Sequence, residues 1–442
     1  MAGVSHPPAH PGDHAADGTP ESIPGGVGTR SDSTANRRQR RRFRRRRAAV
    51  FTVLGVVLAT AAYTALSAVA PLPAAAEAAS GSSTVRAAAV DPAFPAWGSA
   101  AVGLVGQDDL LVQNGSTASA PIASMTKTIT ALVLLDKHPI AKGETGPTIT
   151  FTDADVDILQ QVWAEDGSWA NVVAGERLTE KQALTAMLLP SANNYAISLA
   201  NWGFGSVDAF LTYASSWLNE HGLTGTTITD PSGLDPGSVS TTKDLVSIGK
   251  LVLASPVLSE IVDTPSTTLP DVGTVQNSNE LLGKDGIVGI KTGWTDQAGH
   301  CLMFAASVTV HGHALKLVGV VTGAPDYDSL WSQVPTLLAS VENGFHEVKI
   351  GGSAGYGTYS SLWGQKAALK ATKTGGLFVF SNTPVKVTVR TSTASTAAPG
   401  DAVGTVTYTG AGQSVTRTLT VSKQVADPGL GWRMAHPQLM FL

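Results

Sequence analysis

Apolar positions change their rhythm several times along the chain. Residues 1–36 hold almost no large apolar side chains and are rich in Gly, Pro, Ser, Ala and His. Such a stretch cannot bury enough surface to offset its chain entropy and is expected to stay disordered. Residues 48–70 then run for 23 positions without a charge, which is long enough to span a bilayer. A globular pattern begins near Asp91. Apolar runs at 97–105 and 110–113 flank the polar turn Gly106-Gln107-Asp108-Asp109 and predict a hairpin. After Pro121, residues Met125, Ile129, Leu132 and Val133 recur at helical spacing. Residues 152–178 are polar and mixed, with no element evident. Thr179-Glu180-Lys181-Gln182 reads as a capping box that opens a helix with Ala183, Leu184, Met187 and Leu188 inward, ended by Pro190.

Further helices are expected over 195–202, 206–221, 241–253 and 326–342, the last kinked or split at Pro335. Short strands are expected at 286–291, 301–310 and 314–322. Strands at both ends of residues 89–345, with helices between, imply one sheet that is completed late in sequence. From Val348 onward the chain is rich in Gly, Ser, Thr and Val, with short β-prone runs, and residues 346–442 read as a small β-rich domain.

Charge sharpens the N-terminal picture. Nine arginines crowd residues 37–47, interrupted by Gln39 and Phe43. Such a run could bind nucleic acid, but arginine before an apolar span stays on the cytoplasmic side. Residues 1–47 therefore read as a disordered basic cytoplasmic tail, 48–70 as a transmembrane or signal-anchor segment, and 71–88 as a linker. The rest of the chain is expected outside the cytoplasm: membrane-tethered if the segment is retained, or secreted if Pro71-Leu72-Pro73-Ala74-Ala75-Ala76 is a cleavage site. Beyond residue 47 the chain has 20 basic and 30 acidic residues, a net charge of −10, which argues against a nucleic-acid partner. Cys301 is the sole cysteine, so neither an intrachain disulfide nor a cysteine-based zinc site is available. Its expected role is a small core residue at the start of a strand. No His-Glu-x-x-His sequence occurs, and no metal or cofactor is expected.

The candidate chemistry centres on Ser124 and Lys127, three apart at the start of a helix and so on one face. A serine hydroxyl needs a base, and a lysine can serve only when neutral, which burial and a second cation both favour. Ser-x-x-Lys recurs at Ser240–Lys243, where Ser240 or Thr241 reads as a helix cap. Two further stretches single out the first copy. Ser191-Ala192-Asn193 follows Leu188-Leu189-Pro190 on a connection between helices. Lys291-Thr292-Gly293 closes the apolar run that begins at Gly286. A second Lys-Thr-Gly, at Lys373-Thr374-Gly375, lacks the preceding Gly-Ile strand and lies outside this unit.

Ser-x-x-Lys, Ser-x-Asn and Lys-Thr-Gly in this order form the signature of penicillin-recognising serine enzymes. Together with Pro121-Ile122-Ala123, Asp230-Pro231-Ser232-Gly233-Leu234 and Trp294-Thr295, they make residues 89–345 resemble the low-molecular-mass penicillin-binding proteins, the serine D-Ala-D-Ala carboxypeptidases. The resemblance implies an α+β fold of β-lactamase/transpeptidase type: an antiparallel sheet flanked by helices, with a helical subdomain. It implies Ser124 as nucleophile, Lys127 as base and Ser191 as proton relay to the leaving amine. Asn193 would hold the substrate backbone, and Lys291 and Thr292 its terminal carboxylate. Lys291 would also help to keep Lys127 neutral. Gly293 would let substrate lie close to the strand, and the backbone N–H groups of Ser124 and Trp294 would form the oxyanion hole. The implied partners are a peptidoglycan stem peptide ending in D-Ala-D-Ala and β-lactams as covalent inhibitors.

Departures from the family pattern are Ala192 for a common glycine, Asn194 for a common aspartate, and the first hairpin turn. An endopeptidase or transpeptidase would use the same residues. A non-catalytic wall-binding protein would be expected to have lost one of them. A class A β-lactamase would need Glu-x-x-Leu-Asn, and at the nearest fit, Leu218-Asn219, the glutamate position holds Ser215.

Overall fold

The computed structural model describes residues 33–74, 81–352, 355–392 and 395–440. These fall into two compact units, one within residues 75–425 and one formed by the segments before 75 and after 425.

The larger unit is built on a five-stranded antiparallel sheet in the order Ile287–Thr295, Gly299–Val310, His313–Ala324, Ser99–Leu104, Leu110–Asn114. Its inner strands read as continuous apolar runs because both faces are covered. Alternate residues serve opposite cores. Met303, Ala305, Val318 and Val320 join one, whereas Leu302, Phe304, Ala306, Leu317 and Val321 join the other. The helix Thr242–Ala254 lies close over the first face. A Cβ on its Gly249 would come within 2.6 Å of Val318 Cγ1. The helix Tyr327–Glu342 supplies Leu330, Val334 and Leu337 to the second core. A helical cluster surrounds the helix Thr126–Lys137, whose residues from Thr126 to Leu134 are all buried. This is the antiparallel sheet flanked by helices, with a helical subdomain, that the motifs imply.

Several local expectations need correction. The strand carrying Lys291 extends to Thr295, so Lys-Thr-Gly lies within it rather than at its end. A helix, Asp153–Ala164, occupies the stretch that showed no element, and it starts with a reciprocal capping box between Thr152 and Asp155. Its exposed face dilutes the apolar pattern. The helix Tyr327–Glu342 is not split at Pro335, which lies inside it. The expected linker contains a strand, Gly81–Val85, paired with Val385–Thr391. All five of its residues are exposed, so backbone bonding rather than burial holds it, and no alternating pattern could announce it. Residues 75–80 of that linker lie outside the described residues.

Gly81–Val85 is one edge of a seven-stranded sheet formed mainly by residues 345–421. The strand Lys366–Phe380 is a single long one, and the second Lys-Thr-Gly lies inside it. Phe345 opens the sheet yet belongs to the second core of the five-stranded sheet, where it stacks on Phe378 at 5.2 Å between ring centroids.

In the smaller unit, Ser33–Val69 is one helix. The expected disordered tail falls partly on residues 1–32, outside the described residues. Its arginine-rich end is helical, as fits arginine's good helix propensity and an adjoining apolar helix. Gln39–Val69 is long and apolar enough to cross a membrane. The C-terminal part is not wholly β. Leu430–Ala435 is helical, and Arg433 donates to the Ala70 and Ser67 carbonyls at 2.6 and 3.3 Å, closing the end of the long helix.

Candidate active site

Ser124 lies in a single 3₁₀ turn, Ala123–Met125, that leads into the helix Thr126–Lys137. Ala123 has φ +46°, a left-handed conformation costly for a residue with a Cβ. The turn is braced by the 230–234 loop. There the Asp230 carboxylate accepts from the backbone N–H groups of Ser232, Gly233 and Leu234, and from the Ser232 and Ser238 hydroxyls. A Cβ on Gly233 would stand 1.9 Å from the Ala123 carbonyl oxygen, so only glycine allows this approach. The loop also turns the Pro231 carbonyl to Thr130 Oγ1, at 2.7 Å, and the Ser232 carbonyl to Lys127.

Lys127 has no exposed surface. Its Nζ lies 2.8 Å from Ser124 Oγ, 2.6 Å from Asn193 Oδ1 and 2.9 Å from the Ser232 carbonyl oxygen. Burial, then the charge of Lys291, hold its pKa well below the ordinary lysine value, against an opposing pull from Asp230. A neutral amine has two N–H bonds and one lone pair. Two of its neighbours are carbonyl oxygens and must receive the N–H bonds. The lone pair then faces the one neighbour with a proton to donate, the Ser124 hydroxyl.

Asn193 begins the helix Asn193–Phe204, just after Ser191. Ser191 is buried with φ +66°, and its hydroxyl is bonded to neither Ser124 nor Lys127. Lys291 is 2% exposed, and burial holds its pKa to about 7. Its Nζ donates to the Thr292 carbonyl at 3.1 Å. Thr292 Oγ1 is 2.6 Å from Ser278 Oγ. Gly293 serves the serine turn: a Cβ there would sit 3.2 Å from the Ala123 Cβ, the Ile122 oxygen and the Ser124 nitrogen. The expected benefit, room for substrate, is thus joined by a packing need within the protein. Trp294 is exposed, with its ring 5.7 Å from that of His300.

The three motifs therefore converge at one place from a helix start, a helix–helix connection and a sheet edge. The second copies do not join them. Thr241 caps Thr242–Ala254 by accepting from Asp244 N, and Lys373 lies in the other sheet. Sequence reading gave no role to Asp230, Ser232 or Ser278. The Asp-Pro-Ser-Gly run is a turn signal that could have pointed to the first two. Ser278 is set by long-range packing that leaves no local sign.

The chain is similar to known proteins. A family described as D-alanyl-D-alanine carboxypeptidase matches residues 105–326. The chain is 30% identical over 223 residues to the D-alanyl-D-alanine endopeptidase of Escherichia coli (strain K12), covering 47% of this chain and 66% of that protein. It is 27% identical over 232 residues to the D-alanyl-D-alanine carboxypeptidase DacF of Bacillus subtilis (strain 168), covering 51% of this chain and 57% of that one. It thus spans only part of the length of these curated relatives. The solved structure of penicillin binding protein 5 from Haemophilus influenzae aligns with a TM-score of 0.53 at 21% identity, over 75% of this chain and 98% of that one, a likeness of fold.

Proposed function

This chain belongs to the D-alanyl-D-alanine carboxypeptidase family, and from that premise we propose that it removes the terminal D-alanine from peptidoglycan stem peptides through an acyl-enzyme. The observation that carries the reading is the Lys127 amine with its lone pair aimed at the Ser124 hydroxyl. Lys127 takes the Ser124 proton as Oγ bonds to the carbonyl carbon of the penultimate D-Ala. The backbone N–H groups of Ser124 and Trp294 receive the negative charge, each such donor being typically worth ~10²–10³ in rate. The C–N bond breaks, and Ser191 passes a proton to the departing amine. Asn193 holds the stem-peptide backbone, while Lys291 and Thr292 bind the terminal carboxylate. Gly293 keeps the strand close to the nucleophile. Water then hydrolyses the ester, and β-lactams enter the same cycle as slow substrates. Residues 89–345 carry this chemistry and the following β-rich part is accessory. The apolar N-terminal helix tethers the enzyme outside the cytoplasm, with the arginines inside.

A second reading is supported by the E. coli relative's description as an endopeptidase: the same residues would cut a D-Ala cross-link. The test is the intact mass of the full-length protein in detergent after penicillin, beside Ser124→Ala, followed by product analysis on a free pentapeptide and on a cross-linked dimer. A lasting adduct absent from the mutant, with D-alanine release from the pentapeptide, is expected. Cleavage of the dimer alone would select the endopeptidase. A folded protein with no adduct would remove both readings.

A further inference from the structure

The residue after Asn193 explains one departure from the family pattern. Asn194 is 1% exposed and lies beside the 167–171 loop. Its Oδ1 accepts from the Ala170 N–H at 3.1 Å, and its Nδ2 donates to the Ala170 carbonyl at 3.0 Å. The amide thereby grips both backbone groups of one loop residue. Its neighbours hold the same loop. The Asn193 N–H donates to the Ser168 carbonyl at 2.7 Å, and the Tyr195 hydroxyl donates to the Asn171 carbonyl at 2.9 Å. Gly167 faces Asn193 directly, since a Cβ there would lie 2.8 Å from Asn193 Nδ2. Three consecutive residues thus strap the loop against the side chain that also contacts Lys127. Between the anchored Ser168 and Ala170 stands Trp169, 48% exposed. Its backbone is fixed on both sides while its large apolar ring is left in solvent.

Resting on the function proposed above, we infer that Asn194 is a positioning residue that fixes the 167–171 loop, and that Trp169 on this loop is a specificity-determining wall of the cleft. The ring takes the apolar part of the stem peptide on the acyl side of the scissile bond. An ionised aspartate at position 194 could accept from Ala170 N–H but could not donate to its carbonyl. Asparagine is the side chain that satisfies both.

The experiment compares wild type, Asn194→Asp and Trp169→Ala in the full-length protein in detergent, using acylation by benzylpenicillin and D-alanine release from a synthetic pentapeptide. Wild type must be acylated at Ser124, and failure there would defeat the functional reading itself. With that established, Asn194→Asp is expected to be acylated ~10–100-fold more slowly at pH 8, the scale of a misplaced reacting group. The ratio of variant to wild-type rate should recover as pH falls to 5, because a protonated carboxyl can donate to the Ala170 carbonyl. A ratio near one throughout, or a deficit independent of pH, would overturn the positioning role. Trp169→Ala is expected to raise KM for the pentapeptide about tenfold, as for loss of an aromatic anchor, and to slow acylation by benzylpenicillin, whose apolar side chain lies on the same acyl side, more than acylation by 6-aminopenicillanic acid, which lacks that side chain. An unchanged KM, or an equal loss with the two penicillins, would overturn the wall. Trp169 is exposed, so this arm decides even if Asn194→Asp does not fold.

Discussion

Lys127 Nζ stands 2.8 Å from Ser124 Oγ, and the amine's other two partners, Asn193 Oδ1 and the Ser232 carbonyl, have no proton to give. The orientation of the amine is thus fixed by the protein's own groups. Lys127→Ala should slow penicillin acylation by ~10²–10⁴, the usual worth of a positioned general base. Stopped-flow acylation checks this, with circular dichroism to confirm folding. A variant that keeps more than about a tenth of the wild-type rate would remove lysine from that role.

In the proposed mechanism the two buried lysines set opposite limbs of the pH profile. Lys127 must be neutral, and its lowered pKa places the acid limb below the ordinary lysine range. Lys291 must be charged to hold a carboxylate, and its pKa is about 7 in the free protein. The kcat/KM for a D-Ala-terminated peptide should therefore fall as pH rises above about 7. A substrate with an amide in place of the terminal carboxylate should lose that alkaline limb. An unchanged limb would separate Lys291 from carboxylate binding.

Glu180 should make stability depend on pH. It is fully buried, neither carboxylate oxygen has a hydrogen-bond partner among the described residues, and burial raises its pKa to about 7. The folded protein therefore holds this proton where the unfolded chain has released it. Stability is intact below the unfolded value near 4.5 and declines as pH rises through about 7. Glu180→Gln should match wild type at pH 4 and exceed it at pH 8 by about 2 kcal/mol. Urea unfolding at the two pH values tests the difference.

Gly233→Ala places a methyl group 1.9 Å from the Ala123 oxygen, at a position with φ +81°. The serine turn must shift to admit it. Acylation should drop by about 100-fold, the scale of a 1 Å misplacement, together with a lower melting temperature. A variant acylated at the wild-type rate would show that the turn does not depend on this loop.

Much of the site was legible because its chemistry sits on local signals. Ser124 and Lys127 are three apart, the serine in a 3₁₀ turn and the lysine in the first turn of the helix that follows rather than both on the helix as expected, Ser191-Ala192-Asn193 follows a helix-ending proline, and Lys291 ends an apolar run. The capping box at Thr179 and Gln182 forms as its sequence predicts. What escaped was set by distance in sequence. The Asp230 loop acts through a carbonyl oxygen, which any residue could supply. Ser278 reaches Thr292 only through the fold. The strand Gly81–Val85 is held by backbone bonds, so its side chains carried no periodicity. The continuity of Tyr327–Glu342 through Pro335 ran against the local rule, since Val334 and Leu337 on either side are both needed in the core.

Cys301 lies fully buried in the sheet, and burial pushes its thiol up to about 11. At neutral pH the protein is therefore silent toward thiol reagents, although it is not cysteine-free. A cysteine placed at an exposed position, Trp169 for instance, would be the one reactive thiol in the folded chain. A spin label or fluorophore attached there would report the motion of a single loop without any need to alter the core.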